Sequence, residues 1–191
     1  METHLMESAV GDCVGATVLD LEGPGLRARQ AVDAGATSVD AVDLSPEMDL
    51  VVTNRVFNHA GTTEELEGMW QNVVTYPRSG GRFAGIRACD PRRPAFANGR
   101  RDTAWHTRTS WRSPAAGASV QITHSAPVEF ECASMEVSCA GSTAMHKKYG
   151  LCHVDIEHYE NTEVFRSGPE FWRLFQEEPP VDVVKARKRG S

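Results

Sequence analysis

Two acids bracket a glycine turn near the start of the chain, in "TVLDLEGPGLRARQAVDAGATSVDAVDLSPEM" (residues 17–48). Asp20 closes one apolar run just before Gly23 and Gly25, and Asp43 closes the next. A strand that runs into a glycine turn and a helix N-terminus presents outward-facing backbone N–H groups. The glycines let a ligand come close, and the helix end favours negative charge. An acid about 20 residues further on can accept hydrogen bonds from both ribose hydroxyls of a nucleotide. Gly23-x-Gly25-x-x-Ala28 also satisfies the dinucleotide fingerprint G-x-G-x-x-G/A. Asp20 weighs between the two kinds of cofactor. A carboxylate beside the glycines would repel a pyrophosphate, whereas it would hold a cofactor that carries a positive amino group there.

Three further groups could meet a substrate. His59, in "NRVFNHAG", falls just past a strand end and reads either as a base or hydrogen-bond partner, or as a loop histidine without chemistry. Trp105 and His106 lie in an irregular stretch and could line a pocket for a flat heteroaromatic ligand, although loop tryptophans also simply pack. His146, His153 and His158 do not form an H-x-x-x-H or H-E-x-x-H set, so no metal site is expected. No G-x-S-x-G occurs, and "SGGRFAG" lacks the Lys-Ser/Thr of a P-loop.

The elements that must carry these groups follow from periodicity. "TVLDL" predicts a strand bounded by a Gly/Pro cluster, residues 26–34 a helix closing on Gly35, and "SVDAVDL" a second strand. That order is the sign of a βαβ unit in a parallel sheet. "MDLVVTNRVF" predicts a third strand. "EELEGMWQNVV" carries apolar residues at 66, 69, 70, 73 and 74, a helical stripe preceded by Thr62 and Thr63 as possible N-caps. "SGGRFAGIRA" predicts a Gly-Gly turn into a fourth strand. Beyond Cys89 the pattern is loop-like to residue 117. Residues 119–138 then alternate as in antiparallel strands or a hairpin, and "GPEFWRLFQEEPPVDVVKARK" predicts a short amphipathic helix, a Pro-Pro break and a last apolar run.

The expectation is one α/β domain, Rossmann-like, with a mostly parallel sheet covered by helices on both faces and antiparallel C-terminal strands. Within it, residues 1–16 form an N-terminal segment, 17–88 the cofactor-binding core, 89–118 an irregular insert, 119–184 the C-terminal part and 185–191 a basic tail, solvated by default. The chain has 191 residues, 40% hydrophobic and 24% charged, with a formal net charge of −6. That balance offers no basic field for nucleic acid. The clusters "DPRRPAFANGRR" and "KARKRG" read as a loop and a tail. Five cysteines without a C-x-x-C spacing suggest reduced thiols. With neither a secretory signal nor an apolar run of the ~20 residues that span a bilayer, the expectation is a soluble, cytoplasmic protein.

"VLDLEGPG" followed by "VDAVDLSPEM" resembles motifs I and II of class I S-adenosylmethionine-dependent methyltransferases. "DLVVTNRVFNHAGTTEELEGMWQNVVTYPRSGGRFAGI" is similar to that family's fourth strand, the helix after it, and the turn into its fifth strand. The C-terminal "GPEFWRLFQEEPPVDVVKARK" looks like the end of small-molecule methyltransferases of the toxoflavin synthase type. The resemblance implies S-adenosylmethionine as cofactor, its methionine end against Asp20, Gly23 and Gly25 and its ribose on Asp43. It further implies methyl transfer to a small-molecule acceptor under residues 90–111, or else a non-catalytic relative that serves as a binding or interaction module.

The chain departs from the family pattern in three places. The turn "DLEGPG" is one residue short, Glu22 adds a carboxylate and Pro24 removes a donor. "VDLSPEM" runs straight into "DLVVTN", so one βα unit and its adenine-facing acid are missing between them, and Asp49 does not stand in for that acid. Only about 16 residues precede the first strand, too few for the family's N-terminal helical lid. The apolar surface left by the missing unit needs a cover, a homo-oligomeric partner or the insert.

Overall fold

The computed structural model describes residues 2–21, 31–40, 47–88, 107–112, 119–124, 130–135, 138, 142–158, 162–177, 179 and 181–190. A six-stranded mixed sheet forms the centre, in the order β2-β1-β3-β4-β9-β8. Its members are β1 (Thr17–Leu21), β2 (Ser38–Asp40), β3 (Met48–Asn54), β4 (Pro77–Ala88), β8 (Leu151–Ile156) and β9 (Val181–Lys188). The first four are parallel, and β9 and β8 add antiparallel at one edge. A second sheet of three antiparallel strands joins β5 (Thr107–Arg112), β6 (Ser119–His124) and β7 (Phe130–Met135).

The central strands are buried on both faces because their apolar runs are nearly continuous, as parallel strands covered on both sides require. Val18, Leu50, Val52, Ala84 and Ile86 face one way. They pack with Leu5 and Met6 of helix α1 (Glu2–Val10) and with Phe165 of α4 (Glu163–Ser167). Leu19, Val51 and Phe83 face the other way, against Leu66, Trp70 and Val73 of α2 (Thr63–Thr75). The spacing 66, 70, 73 is one helix face, and it is the face that α2 buries. Thr62 starts α2 through a full capping box: its hydroxyl accepts from Glu65 N–H (3.1 Å), and the Glu65 carboxylate accepts from Thr62 N–H (3.2 Å).

The N-terminal segment carries helix α1, with Leu5 and Met6 each only 1% exposed. Two expectations are corrected here. Residues 185–188, expected as the start of a solvated tail, are the second half of β9, an interior strand paired on both sides. Lys185 is matched where it emerges: its Nζ lies 2.7 Å from Glu157 and 3.5 Å from Asp155. Residues 107–112, expected within an irregular insert, form β5 and pair with β6 along their full length.

The alternating stretch 119–138 does make antiparallel strands, as predicted, with Ile122 opposite Cys132. This small sheet joins the domain through its last strand. Met135 is buried in the Trp70 cluster, and the hydroxyl of Ser138 just beyond it donates to Met135 O (2.7 Å). Between β3 and α2 the chain makes a single 3₁₀ turn, η1 (Val56–His59), against which β7 packs. Residues 31–33 are helical, and the remainder of the predicted helix at 26–34 lies outside the described residues. Helices α3 (Ala144–Lys148) and α5 (Pro169–Glu177) are the remaining helices among the described residues. No helix among the described residues is long and apolar enough to cross a membrane.

Candidate functional site

The strand order places the candidate site. From β1 the chain goes to β2 on one side, and it then returns to β3 on the other side of β1. Open α/β sheets bind ligands outside the carboxyl ends of their strands at such a reversal, because the connections diverge there and leave a crevice. Asp20 occupies that end of β1. It sits opposite Val52 of β3, and its residue is 1% exposed. The next pair along is Leu21 and Thr53, so Asp20, Thr53 and Asn54 share the edge where β1 and β3 finish.

Of the other residues expected to hold a cofactor, Gly23, Gly25 and Asp43 lie outside the described residues, as do Trp105 and His106. His59 is exposed at the end of η1. Asp49 sits at the opposite edge of the sheet, at the start of β3. There it accepts from Thr17 N–H (3.0 Å), Thr17 Oγ1 (3.1 Å) and Arg78 Nε (2.5 Å). The Thr17 amide, followed by Arg78, holds the Asp49 carboxyl below its ordinary range. Its position and its partners agree with the expectation that it does not serve as the adenine-facing acid.

Beside the switch point the structure gathers polar residues that carry no sequence motif. Arg87, 5% exposed, stands directly opposite Asp182 across β4 and β9. Its Nε and Nη2 donate to the two Asp182 oxygens at 2.6 and 3.1 Å, and Nη1 donates to the Ser142 carbonyl. Asn58 of η1 accepts from Ala88 N–H at the end of β4 (3.4 Å) and donates to Ser138 Oγ (3.5 Å). These bonds tie η1, the end of β4 and the link after β7 together around one place. Arg55, in the left-handed region with φ 58°, makes the sharp exit from β3 that brings η1 there, and its N–H bonds Ile86 O (2.8 Å).

His146 of α3 points into the same region. It is 5% exposed and meets the Trp70 and Phe83 rings edge-on, with centroids 4.6 and 5.7 Å away. Burial first, and the Arg87 charge second, push its pKa down to about 3, so the imidazole is neutral across the working range. A cavity of ≈ 10 Å³ is lined by Thr53, Gly85, Arg87, Ser138, Ser142 and His146, with aromatic walls from Phe57, Trp70 and Phe83. A larger cavity of ≈ 60 Å³ lies between α1 and residues 31–34, and its walls are apolar apart from Glu7.

Of the described residues at this end of the sheet, the sequence reading singled out Asp20 as a site candidate but not Thr53, Asn54, Asn58, Arg87, Asp182 or His146. Thr53 and Asn54 had a legible signal, a polar end on the apolar run "DLVV". The others had none, since their partners are far away in the chain. Among the described residues no group of His, Cys, Asp and Glu is arranged to hold a metal ion.

No family model and no curated protein matches the sequence. Solved structures do match. A proposed S-adenosylmethionine-dependent methyltransferase from Listeria monocytogenes is 16% identical, with a TM-score of 0.64 over 98% of this chain and 96% of that one. An S-adenosylmethionine-dependent methyltransferase from Mesorhizobium loti is also 16% identical, with a TM-score of 0.61 over 96% and 95%. The 1,6-didemethyltoxoflavin-N1-methyltransferase of Burkholderia thailandensis, solved with 1,6-didemethyltoxoflavin and S-adenosylhomocysteine, is 11% identical, with a TM-score of 0.50 over 97% and 75%. At these identities the likeness is one of fold. By its strand order, its antiparallel last pair and these neighbours, the chain has the fold of the class I S-adenosylmethionine-dependent methyltransferase superfamily.

Proposed function

We propose that the protein transfers a methyl group from S-adenosylmethionine to a small-molecule acceptor. The observation that carries this reading is the position of Asp20, a carboxylate 1% exposed at the switch-point end of the central strand. A buried carboxylate among Val18 and Val52 favours a cationic ligand group over a pyrophosphate, because a second anion would add repulsion to the cost of burial. S-adenosylmethionine fits on that ground, since its amino acid end carries an ammonium.

Asp20 holds the amino group in this reading, with Gly23 and Gly25 against the methionine moiety and Asp43 on the ribose, as the sequence resemblance implies. Bound S-adenosylmethionine supplies a methyl group on a positively charged sulfur. The remaining work belongs to the chain and is chiefly positioning, because an in-line displacement gains most from holding the reactants in register. The acceptor would lie over the ends of β3 and β4, where Thr53 and Asn54 offer polar contacts under the small antiparallel sheet. A flat heteroaromatic acceptor of the kind named for the Burkholderia neighbour is consistent with the expected Trp105–His106 contribution.

The test is calorimetric titration with S-adenosylhomocysteine, with NAD as control. Micromolar binding of the first alone is expected. An Asp20→Asn variant should bind about 10- to 100-fold more weakly, the size of a lost charge-assisted hydrogen bond. Absence of heat and of thermal stabilisation from either ligand, in a folded sample, would overturn the cofactor assignment. Binding without turnover on any acceptor would favour the non-catalytic alternative.

A further inference from the structure

The ends of β3 and β4 carry polar groups that the cofactor reading leaves unused. Thr53 is 1% exposed and His146 5%. Neither Thr53 Oγ1 nor His146 Nδ1 has a hydrogen-bond partner among the described residues. Leaving a buried polar atom without a partner is unfavourable, so two of them on one cavity point to something they share. Both residues line the ≈ 10 Å³ cavity, which is about the volume that one water requires.

The surroundings define that space. Gly85 sits opposite Thr53 in register and lines the same cavity. A Cβ at Gly85 would stand 2.6 Å from Thr53 Oγ1 and 2.7 Å from Phe83 Cζ, so only glycine keeps that position clear. The imidazole is fixed by its edge contacts with Trp70 and Phe83 at 67° and 75°. Arg87, the one cation on the lining among the described residues, is matched by Asp182. A cavity with a neutral imidazole, a hydroxyl and a compensated cation suits a neutral occupant. A hydroxyl, which both donates and accepts, can meet the threonine hydroxyl and either state of the imidazole nitrogen.

We propose that this cavity seats a single neutral hydroxyl-sized group between Thr53 Oγ1 and His146 Nδ1, a water molecule or the hydroxyl of a small ligand that displaces it. The proposal stands on the described residues and does not depend on methyl transfer. It does give any acceptor that lies over β3 and β4 a place for a hydroxyl head.

The experiment is nuclear magnetic resonance of the full chain labelled with ¹⁵N at histidine, with methanol as the probe. The expected result is a hydrogen-bonded Nδ1 signal for His146 and a through-space contact between water and its ring. Thr53→Val should lose the water contact and shift Nδ1 toward the unbonded position, while Thr53→Ser should keep both. Increasing methanol should replace the water contact with a methyl contact in a saturable way. An unbonded Nδ1 with no water contact in the unmodified protein would overturn the proposal, as would signals unchanged in a folded Thr53→Val variant. A water contact that methanol never displaces would overturn the ligand seat. None of these outcomes involves S-adenosylhomocysteine, so failure here is distinguishable from failure of the cofactor reading.

Discussion

Arg87 and Asp182 face each other across β4 and β9, and the guanidinium binds both carboxylate oxygens in an interior where the two side chains are only 6% and 11% exposed. The pair closes the sheet beside the candidate site and neutralises the charge nearest His146. Its energetics differ from those of a surface ion pair. Two well-placed charges inside a protein roughly offset the cost of burying them, but one of them left alone does not.

Removing one partner is therefore expected to cost about 3–5 kcal/mol, by either Arg87→Ala or Asp182→Ala. Replacing both, as Arg87→Met with Asp182→Leu, should cost much less than the sum. Urea denaturation of the three variants measures the coupling. Additive losses would show that the two groups act independently.

His146 predicts a stability profile with a definite sign. Its folded pKa of about 3 lies below the unfolded value near 6.5. As pH falls below 6.5 the unfolded chain takes up a proton that the folded chain refuses, so this group removes about 1.4 kcal/mol of stability per pH unit until the folded pKa is reached. Comparison of unfolding midpoints at pH 7 and pH 5 should show a loss of about 2 kcal/mol that a His146→Phe variant lacks. Equal slopes in the two proteins would refute the buried neutral state.

Asp49 acts in a lower window. Its carboxyl titrates below its ordinary value because Thr17 N–H and Arg78 hold the charged form. The stability it supplies is present above about pH 4, the unfolded value, and is lost as pH falls through the folded one. Asp49→Asn should cost about 1 kcal/mol at pH 7. The difference from the unmodified protein should shrink as pH falls below about 4, which acid-side denaturation curves would show.

The capping box of α2 gives a local test. Thr62→Ala should destabilise the protein by about 1 kcal/mol, and Glu65→Ala in the same background should add little, because the two groups satisfy each other's backbone. Thermal unfolding of the single and double variants would measure it. Additive losses would mean that the two caps work separately.

Much of the fold was legible in the chain because it is written locally. The runs "TVLDL" and "DLVVTN" read as strands, the 66-70-73 stripe as a helix face, and Asp20 as the acid that closes the first apolar run. Where the readings failed, the deciding contacts were distant. "KARK" looked like the start of a solvated tail, and it belongs to an interior strand because β4 and β8 supply partners for its backbone, while Glu157 and Asp155 supply partners for Lys185. Residues 107–112 alternate too weakly to announce a strand, and β6 supplies the pairing that makes them one.

The same division holds for the site. An acid at the end of the first apolar run is visible in the sequence alone, while the strand order that puts it at a switch point is not. His146 acquires its meaning only when α3 folds under the sheet and sets it against Trp70, Phe83 and the cavity it shares with Thr53. Local periodicity can determine which residues form an element and which face it buries. Burial of a particular polar atom, and the neutral imidazole that follows from it, depends on which elements exclude water together, and only the tertiary structure decides that.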